Sequence, residues 1–226
     1  MDKFILPEIF SNGVKAFFTR KSPGTDIKKI SSILSIKKED IYFPIQRHTD
    51  KVLVVESDLE PKIADAVVTK REGILIAVQV SDCVPVLLFD RGKFVIGAVH
   101  AGWRGTAAQI LKKTIKSMVE HFGSLPEDIA VALGPSIRWN CYRVDSEVKN
   151  AICTATGDGR NYVEKNDDGY CVDLSSANVL QALSMGVPEE NIWSSHDCTY
   201  CSPDEYYSYR YAKGITGSQG GFIGIL

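Results

Sequence analysis

Two long apolar runs in the middle of the chain predict a β-hairpin. Residues 84–90 and 93–100 are rich in Val, Ile and other apolar side chains, and the polar sequence from Asp90 to Lys93 separates them. Apolar runs that flank a short glycine-containing turn indicate antiparallel strands. A further apolar run from Ile74 to Cys83 leads into the first of these strands. Because both faces of the hairpin are apolar, we expect it to lie deep in a layered fold.

The length of the turn decides which residues face each other across this hairpin. A loop of Arg91 and Gly92, or of all four residues from Asp90 to Lys93, gives paired residue numbers that sum to 183. Cys83 and His100 are then direct partners, with Cβ atoms about 4.5–5.5 Å apart. At that distance a thiolate and an imidazole can bind one metal ion. A three-residue loop would separate them.

The remaining hydrophobic pattern predicts alternating strands and helices. Further strands are expected at 14–19, 41–48, 52–55, 64–69 and 129–133. Helices are expected from 26 to about 36, 106 to 122, 145 to 153 and 173 to 186. The polar segment 157–169 predicts a loop, and 191–226 predicts strands with glycine-bearing loops. We find no repeat, linker or low-complexity segment, so one domain spanning 1–226 is expected.

Composition and charge narrow the class of protein. The chain has 226 residues, of which 44% are hydrophobic, enough for a full core. Its formal charge of −2 offers no bulk attraction to nucleic acid or acidic membranes. Without a signal sequence or a membrane-length apolar run, a soluble cytoplasmic protein is expected. The six cysteines are then expected to be thiols or ligands rather than disulfides.

Three of the four histidines, His48, His100 and His196, are predicted at strand ends beside other ligand-type residues. A catalytic zinc ion has three protein ligands, usually including neutral imidazole or thiolate, and one open position. Cys83 and His100 supply two ligands, and we expect His48 to be the third because it also ends a predicted strand. The alternative is that His48 is an ordinary satisfied or solvent-exposed histidine.

A competing metal site is predicted at His196, Cys198 and Cys201. A Cys-x-x-Cys pair preceded by a histidine can close a structural zinc site, or it can act as a redox pair. The two thiols can also be partly buried and pack as small hydrophobic groups. The sequence leaves these three alternatives open.

Charged residues at predicted strand ends are candidates for substrate binding and proton transfer. The segment Gly102–Thr106 joins a strand to a helix, where backbone N–H groups and Arg104 can bind an anion. Its glycines can equally serve only a tight turn. Asp82 can orient a ligand, carry a proton or merely end its strand. Arg210 lies in an aromatic run that suits a planar ring or an anion, although such runs more often pack in cores.

Several segments match one family pattern together. They are Gln46-Arg-His48, Ala64-Asp-Ala-Val-Val-Thr69, Ser81-Asp-Cys83-Val-Pro, Val99-His-Ala-Gly-Trp-Arg-Gly-Thr106, Leu133-Gly-Pro-Ser-Ile137 with Cys141-Tyr, Val172-Asp-Leu174, and Cys198-Thr with Tyr207-Ser-Tyr-Arg210. In these segments the chain resembles the laccase-domain proteins, long labelled multicopper polyphenol oxidoreductases and more recently described as purine nucleoside phosphorylases with adenosine deaminase activity. The resemblance runs from about residue 40 to the end and is most specific from His100 to Gly105.

This resemblance implies both a fold and a metal site. The fold class is α/β (α+β), a layered α/β/β/α sandwich of two mixed or antiparallel sheets flanked by helices. The metal, zinc or alternatively copper, is held by His48, Cys83 and His100. Zinc lowers the pKa of bound water toward about 7, which suits attack on the purine carbon that bears the amine.

The resemblance also implies small-molecule substrates, namely a purine nucleoside and phosphate. Arg104 and Arg210 are the expected phosphate ligands, Gln46 and Arg47 further substrate-binding residues, and Asp82 the expected proton carrier. Oligomeric state is left open.

The chain departs from the family pattern at four places. The family usually has Val at Arg47, Gly at Arg138, a second Arg at Tyr211 and an Arg at Ser218. Two cations near the C-terminus are therefore replaced, which bears on phosphate binding. Arg47 and Arg138 are candidates to take their place in space.

Three other functions are alternatives to a zinc enzyme. A multicopper oxidase needs more histidines than the four present here. A metal-free hydrolase would use Cys83 as nucleophile and His100 as base. A non-catalytic nucleoside-binding module would keep the fold and lack turnover. Metal content separates the first two from a zinc enzyme.

Overall fold

A computed structural model describes residues 3–10, 13–167 and 169–226, and within these ranges the chain forms fourteen strands and six α-helices. The strands are β1 (Phe4–Ile5), β2 (Lys15–Thr19), β3 (Ile41–Tyr42), β4 (Val52–Val54), β5 (Ala66–Thr69), β6 (Leu75–Val80), β7 (Val84–Asp90), β8 (Val95–Ala101), β9 (Ile129–Leu133), β10 (Arg143–Val144), β11 (Val163–Asn166), β12 (Gly169–Val172), β13 (Ile192–Ser194) and β14 (Gln219–Gly224). The helices are α1 (Ile27–Leu34), α2 (Trp103–Ala107), α3 (Ile110–Phe122), α4 (Ser146–Thr156), α5 (Leu174–Ser184) and α6 (Tyr209–Ala212).

Two large sheets form the centre of the molecule. One has the order β13-β9-β7-β8-β5-β4, and the other has the order β1-β2-β14-β6-β3. One apolar cluster lies between the sheets, for example Leu87, Ala98 and Ile76. A second cluster packs the outer face of the six-stranded sheet against helices, and a third places Ile30 of α1 on the other sheet. The predicted α/β/β/α layering is confirmed, with a third, small sheet β10-β12-β11 in addition.

The central hairpin is formed by β7 and β8, and every residue of both strands is buried. Its predicted register is wrong by two residues, because Pro85 pairs with His100 and Asp90 with Val95, so paired numbers sum to 185. The loop holds four residues, from Arg91 to Phe94, and Phe94 adopts a left-handed φ of 53°. Since the shift is even, the predicted division of side chains between the two faces is unchanged.

The predicted helix 106–122 is two helices. Gln109 has a left-handed φ of 61°, which ends α2 and reorients the chain before α3 begins at Ile110. The inward face of α3 carries the buried side chains of Ile110, Leu111, Ile115 and Met118. Gly123 caps the helix at a left-handed φ of 67°, a conformation that glycine adopts readily.

The predicted loop at 157–169 is also wrong, because β11 and β12 pair there as an antiparallel hairpin. Strand β11 exposes Glu164 and Lys165, and only two residues of the four-residue β12 are buried, so hydrophobic alternation does not mark either strand. The strand predicted at 41–48 is only the two residues of β3, so His48 lies in a loop with a left-handed φ of 57° rather than at a strand end. Other elements agree better: β9 has the predicted bounds, and Asp26, Asp145 and Asp173 cap their helices through side-chain oxygens. Among the described residues, no helix has the length and apolarity needed to cross a bilayer.

Candidate metal centre

Three separate segments bring His48, Cys83 and His100 together. His48 lies between β3 and β4, Cys83 lies between β6 and β7, and His100 belongs to β8. One potential ligand atom from each side chain lies within 4.8 Å of the others. The centroids of the two imidazole rings are 4.8 Å apart. The geometry therefore places at one point the three side chains expected to bind a metal ion.

Cys83 reaches the two histidines because the strand is interrupted just before it. Strand β6 ends at Val80, and Asp82 has a φ of 85°, so the backbone turns before β7 begins. Cys83 thus neighbours His100 diagonally rather than directly across the hairpin. Gly102 leaves the space that the thiol occupies, since a Cβ at this position would lie 2.8 Å from the Cys83 sulfur.

Asp65 is the part of the site that sequence analysis missed. This carboxylate is fully buried and accepts hydrogen bonds from His100 Nδ1 at 2.8 Å and from the His48 backbone N–H at 3.0 Å. It also accepts from the backbone N–H groups of Arg47 and Thr49. An acid inside the apolar strand segment 64–69 was the available signal, because a buried carboxylate requires partners. Asp65 holds two of the three candidate ligands in place.

The electrostatics of the cluster favour a thiolate beside charged imidazole. Burial raises the pKa of the Cys83 thiol, but the neighbouring His100 and His48 outweigh it and bring the pKa to about 6. Burial alone would lower the pKa of His100, but the Cys83 thiolate and the Asp65 carboxylate outweigh burial and raise the pKa to about 9. For Asp65, burial raises the pKa, and hydrogen bonds from His100 and Thr49 outweigh this and hold it well below its usual range.

We expect the metal-free protein to show an unusually acidic reactive thiol at Cys83. Because the thiolate is the nucleophile, its alkylation rate should rise with pH through a midpoint near 6 and level off above about 7. An ordinary thiol would show a midpoint near 8.5. The measurement is iodoacetamide labelling of Cys83, followed by peptide mass spectrometry from pH 4.5 to 9.5. A midpoint above about 8 for the folded, metal-free protein would contradict the expectation.

The cluster opens into a pocket of about 550 Å³, a volume typical of small-molecule sites. Arg104 lines this pocket, and its guanidinium lies 4.4 Å from the Trp103 ring centroid. Gln46 also lines it, but its amide is engaged on both sides by the Gln79 backbone at 2.8 Å. Tyr209 and Ile215 add exposed apolar surface to the wall. A charged group and an apolar surface thus flank the three candidate ligands.

Asp82 and Arg210 form a separate contact beside this pocket. The two Asp82 carboxylate oxygens accept hydrogen bonds from the Thr199 hydroxyl at 2.6 Å and from the Arg210 backbone N–H at 2.7 Å. The Arg210 guanidinium donates to the Arg143 carbonyl and lies over the Tyr142 ring. Asp82 is therefore placed to anchor the start of α6.

The two cations that depart from the family pattern, Arg47 and Arg138, do not line the pocket. Arg138 donates to the Asp173 carboxylate at 3.1 Å and to the Ser195 carbonyl at 2.6 Å. Arg138 and Arg47 are not among the residues that line the pocket, whereas Ser218 is. A hydroxyl therefore lies in the wall where the family pattern has a guanidinium.

The competing metal set is assembled differently from the prediction. Cys198 and Cys201 gather with Cys141, whereas His196 is exposed and is not part of this group. Neighbouring thiols and burial raise the pKa of Cys141 to about 12. Sequence spacing could not identify Cys141, because it lies about sixty positions before Cys201.

The His48, Cys83 and His100 side chains are suitable zinc ligands, and Asp65 holds His100 in an orientation suited to binding. One thiolate and two imidazoles are ligands that zinc prefers, and three protein ligands leave a position open. Because Asp65 occupies His100 Nδ1, the other ring nitrogen of His100 is left for a metal. A carboxylate behind a ligating histidine is the usual outer support of such a site.

The chain is similar to proteins of known sequence and structure. A purine nucleoside phosphorylase of Clostridium acetobutylicum is 34% identical over 226 residues, covering 98% of this chain and 92% of the relative. One of Aquifex aeolicus is 40% identical over 177 residues, with 78% and 79% covered. The crystal structure of the Bacillus licheniformis hypothetical protein YfiH superposes with a TM-score of 0.92 at 28% identity, covering 99% of this chain and 97% of the other. A profile described as multi-copper polyphenol oxidoreductase laccase matches residues 24–226, and the chain therefore belongs to that family.

Proposed function

We propose that this protein is a zinc-dependent enzyme that acts on purine nucleosides, by phosphorolysis and by deamination of adenosine. The observation that carries the proposal is the cluster of His48, Cys83 and His100 in the same pocket as Arg104. Relatives that are named purine nucleoside phosphorylase, at 34% and 40% identity, support the substrate class. The copper oxidase alternative is named in the family's description, but it conflicts with the residue count, because the chain has only four histidines for the several centres such an enzyme needs.

Each side chain around the pocket has a separate role in binding the substrates or in positioning the metal ligands. Zinc at the three ligands supplies Lewis acidity and lowers the pKa of water. Asp65 fixes the ring orientation of His100, since an ionised carboxylate can only accept the Nδ1 proton. Arg104 binds phosphate through its planar guanidinium. Tyr209 and Ile215 offer apolar surface against which a flat purine can pack.

In this proposal Asp82 and Gln46 mainly position other parts of the protein. Both Asp82 oxygens are already engaged, so it positions Arg210, and proton transfer from Asp82 would require one of these bonds to open. Gln46 keeps the pocket wall in place through its paired bonds to Gln79. Arg47 is exposed at the rim of the loop that carries His48, where it can approach a bound substrate.

Product analysis tests the proposal directly. Zinc-loaded protein is incubated with inosine or adenosine, with and without inorganic phosphate, and the products are separated by chromatography. We expect hypoxanthine from inosine only with phosphate, adenine from adenosine only with phosphate, and inosine from adenosine in both conditions. Protein that is folded and zinc-loaded but forms none of these products would overturn the proposal.

The role of Arg104 gives a sharper test of phosphate binding. Hydrogen bonds to charged groups contribute about 1.5–3 kcal/mol each, so Arg104→Gln should raise the KM for phosphate by about 10- to 100-fold. Arg160→Gln is a matched control, because Arg160 is exposed and pairs with Asp158 away from the pocket. An unchanged KM for phosphate in Arg104→Gln would assign phosphate binding to another group.

A second candidate function is supported by the acidic thiol. A Cys83 thiolate next to a charged His100 is also the arrangement of a metal-free cysteine hydrolase. Metal removal separates the two functions, because chelation should abolish turnover by a zinc enzyme and should leave turnover by a metal-free hydrolase intact. Activity that survives complete zinc removal would favour the hydrolase.

A further inference from the structure

A second group of sulfur ligands lies outside the pocket, at Cys141, Cys198 and Cys201. The three thiols lie within 4.8 Å of one another, and the Cys141 and Cys201 sulfurs are 3.2 Å apart. Three thiolates bound tetrahedrally to zinc at 2.3 Å would have sulfurs about 3.8 Å apart. The observed spacing therefore requires only small side-chain movements to accept one ion.

The backbone already holds these sulfurs in position. The Arg138 N–H donates to the Cys198 sulfur at 3.4 Å, and the Cys141 N–H donates to the Arg138 carbonyl at 2.8 Å. The Thr199 N–H donates to the Ser136 carbonyl at 3.1 Å, which ties the two segments together. These bonds fix the backbone segments that carry Cys141 and Cys198, which lowers the entropy cost of binding an ion.

We propose that Cys141, Cys198 and Cys201 bind a second metal ion, a soft divalent cation such as zinc, with three thiolate ligands and a fourth position open to solvent. Cys201 is exposed, which gives an ion access from solvent, while Cys141 and Cys198 are half-buried. Soft thiolate ligands select zinc over magnesium or calcium. The proposal is independent of the nucleoside chemistry, because none of its ligands lines the pocket.

This second ion would connect two segments that contact Asp82 and Arg210, the residues beside the pocket. Thr199 follows Cys198 and donates to Asp82, and Tyr142 follows Cys141 and lies under the Arg210 guanidinium. The ion would therefore restrain the segments that position the start of α6. Its loss is expected to lower the thermal stability of the protein.

Cobalt substitution in a Cys83→Ser background tests the proposal. Metal-free protein is titrated with Co²⁺, and sulfur-to-cobalt charge transfer is followed in the near ultraviolet. Because the first site then has no thiolate, any such absorption must come from other cysteines. We expect one equivalent of Co²⁺ to give this absorption together with the visible bands of tetrahedral cobalt. Adding Cys201→Ser should remove the absorption, whereas the matched control Cys153→Ser should keep it.

Zinc content and oxidation state provide the independent measurement. We expect two zinc ions per chain in the wild-type protein and one in Cys201→Ser, with unchanged circular dichroism. The absence of cobalt charge transfer in the folded Cys83→Ser protein would overturn the proposal. A Cys141–Cys201 disulfide in place of the second zinc, found by peptide mapping of protein purified with zinc, would overturn it as well.

Discussion

Cys83→Ala is expected to release the metal ion from the first site and to lower nucleoside turnover by more than about 100-fold. Removal of a partner in the outer shell of a metal site already costs about 10- to 100-fold, and Cys83 supplies the only negative charge among the three ligands. The two remaining imidazoles cannot offset the charge of the ion. The measurements are zinc per chain by elemental analysis and initial rates with inosine and phosphate.

The matched control for this substitution is Cys153→Ala. Cys153 is a half-buried free thiol on α4, away from the pocket, so its removal changes the thiol count without touching the ligands. We expect its zinc content and turnover to match the wild type. Turnover that persists in a zinc-free Cys83→Ala protein would show that the cluster is not the reaction centre.

Asp65→Asn is expected to weaken zinc binding by about 10- to 100-fold, although Asp65 is not itself a proposed ligand. The amide keeps the shape of the side chain, but it cannot accept from His100, His48 and Thr49 together as the carboxylate does. It also removes the negative charge that raises the pKa of His100. Because a lost hydrogen bond to a charged group costs about 1.5–3 kcal/mol, the free energy of unfolding should fall by a similar amount.

Competition with a chromophoric chelator measures the zinc affinity, and urea unfolding measures the stability. Asp90→Asn is the matched control, because Asp90 is equally buried and accepts backbone hydrogen bonds, but it lies at the far end of the hairpin. We expect this control to keep its zinc affinity. If Asp65→Asn binds zinc as tightly as the wild type, the proposed supporting role of Asp65 is wrong.

Long apolar runs predicted the buried hairpin, and strand alternation placed Cys83 and His100 on the same face, whereas the α/β/β/α layering was implied by the family resemblance. The predicted register was wrong because the apolar Phe94 was assigned to the second strand, whereas it is the last of the four loop residues. The break at Gln109 was missed for a related reason: a left-handed residue other than glycine carries no strong sequence mark.

Contacts between distant segments account for the other omissions. Asp65 binds the backbone of residues 47–49, and Cys141 joins thiols about sixty positions away. Pairings of this kind depend on how loops pack after the sheets form, and local pattern gives no measure of that. For the same reason the sequence predicted His196 as the partner of Cys198 and Cys201, whereas the structure has Cys141 in that place.

The position of β14 has a consequence for how the enzyme is made. This strand lies between β2 and β6, and Gly220 contacts Thr19, which is 201 positions earlier in the chain. The five-stranded sheet therefore cannot close until the segment Gln219–Gly224 has been synthesised. Thr216 and Ser218, immediately before β14, also form part of the pocket wall. The pocket should thus be complete only after β14 has joined the sheet, later than the local hairpin of β7 and β8 has formed.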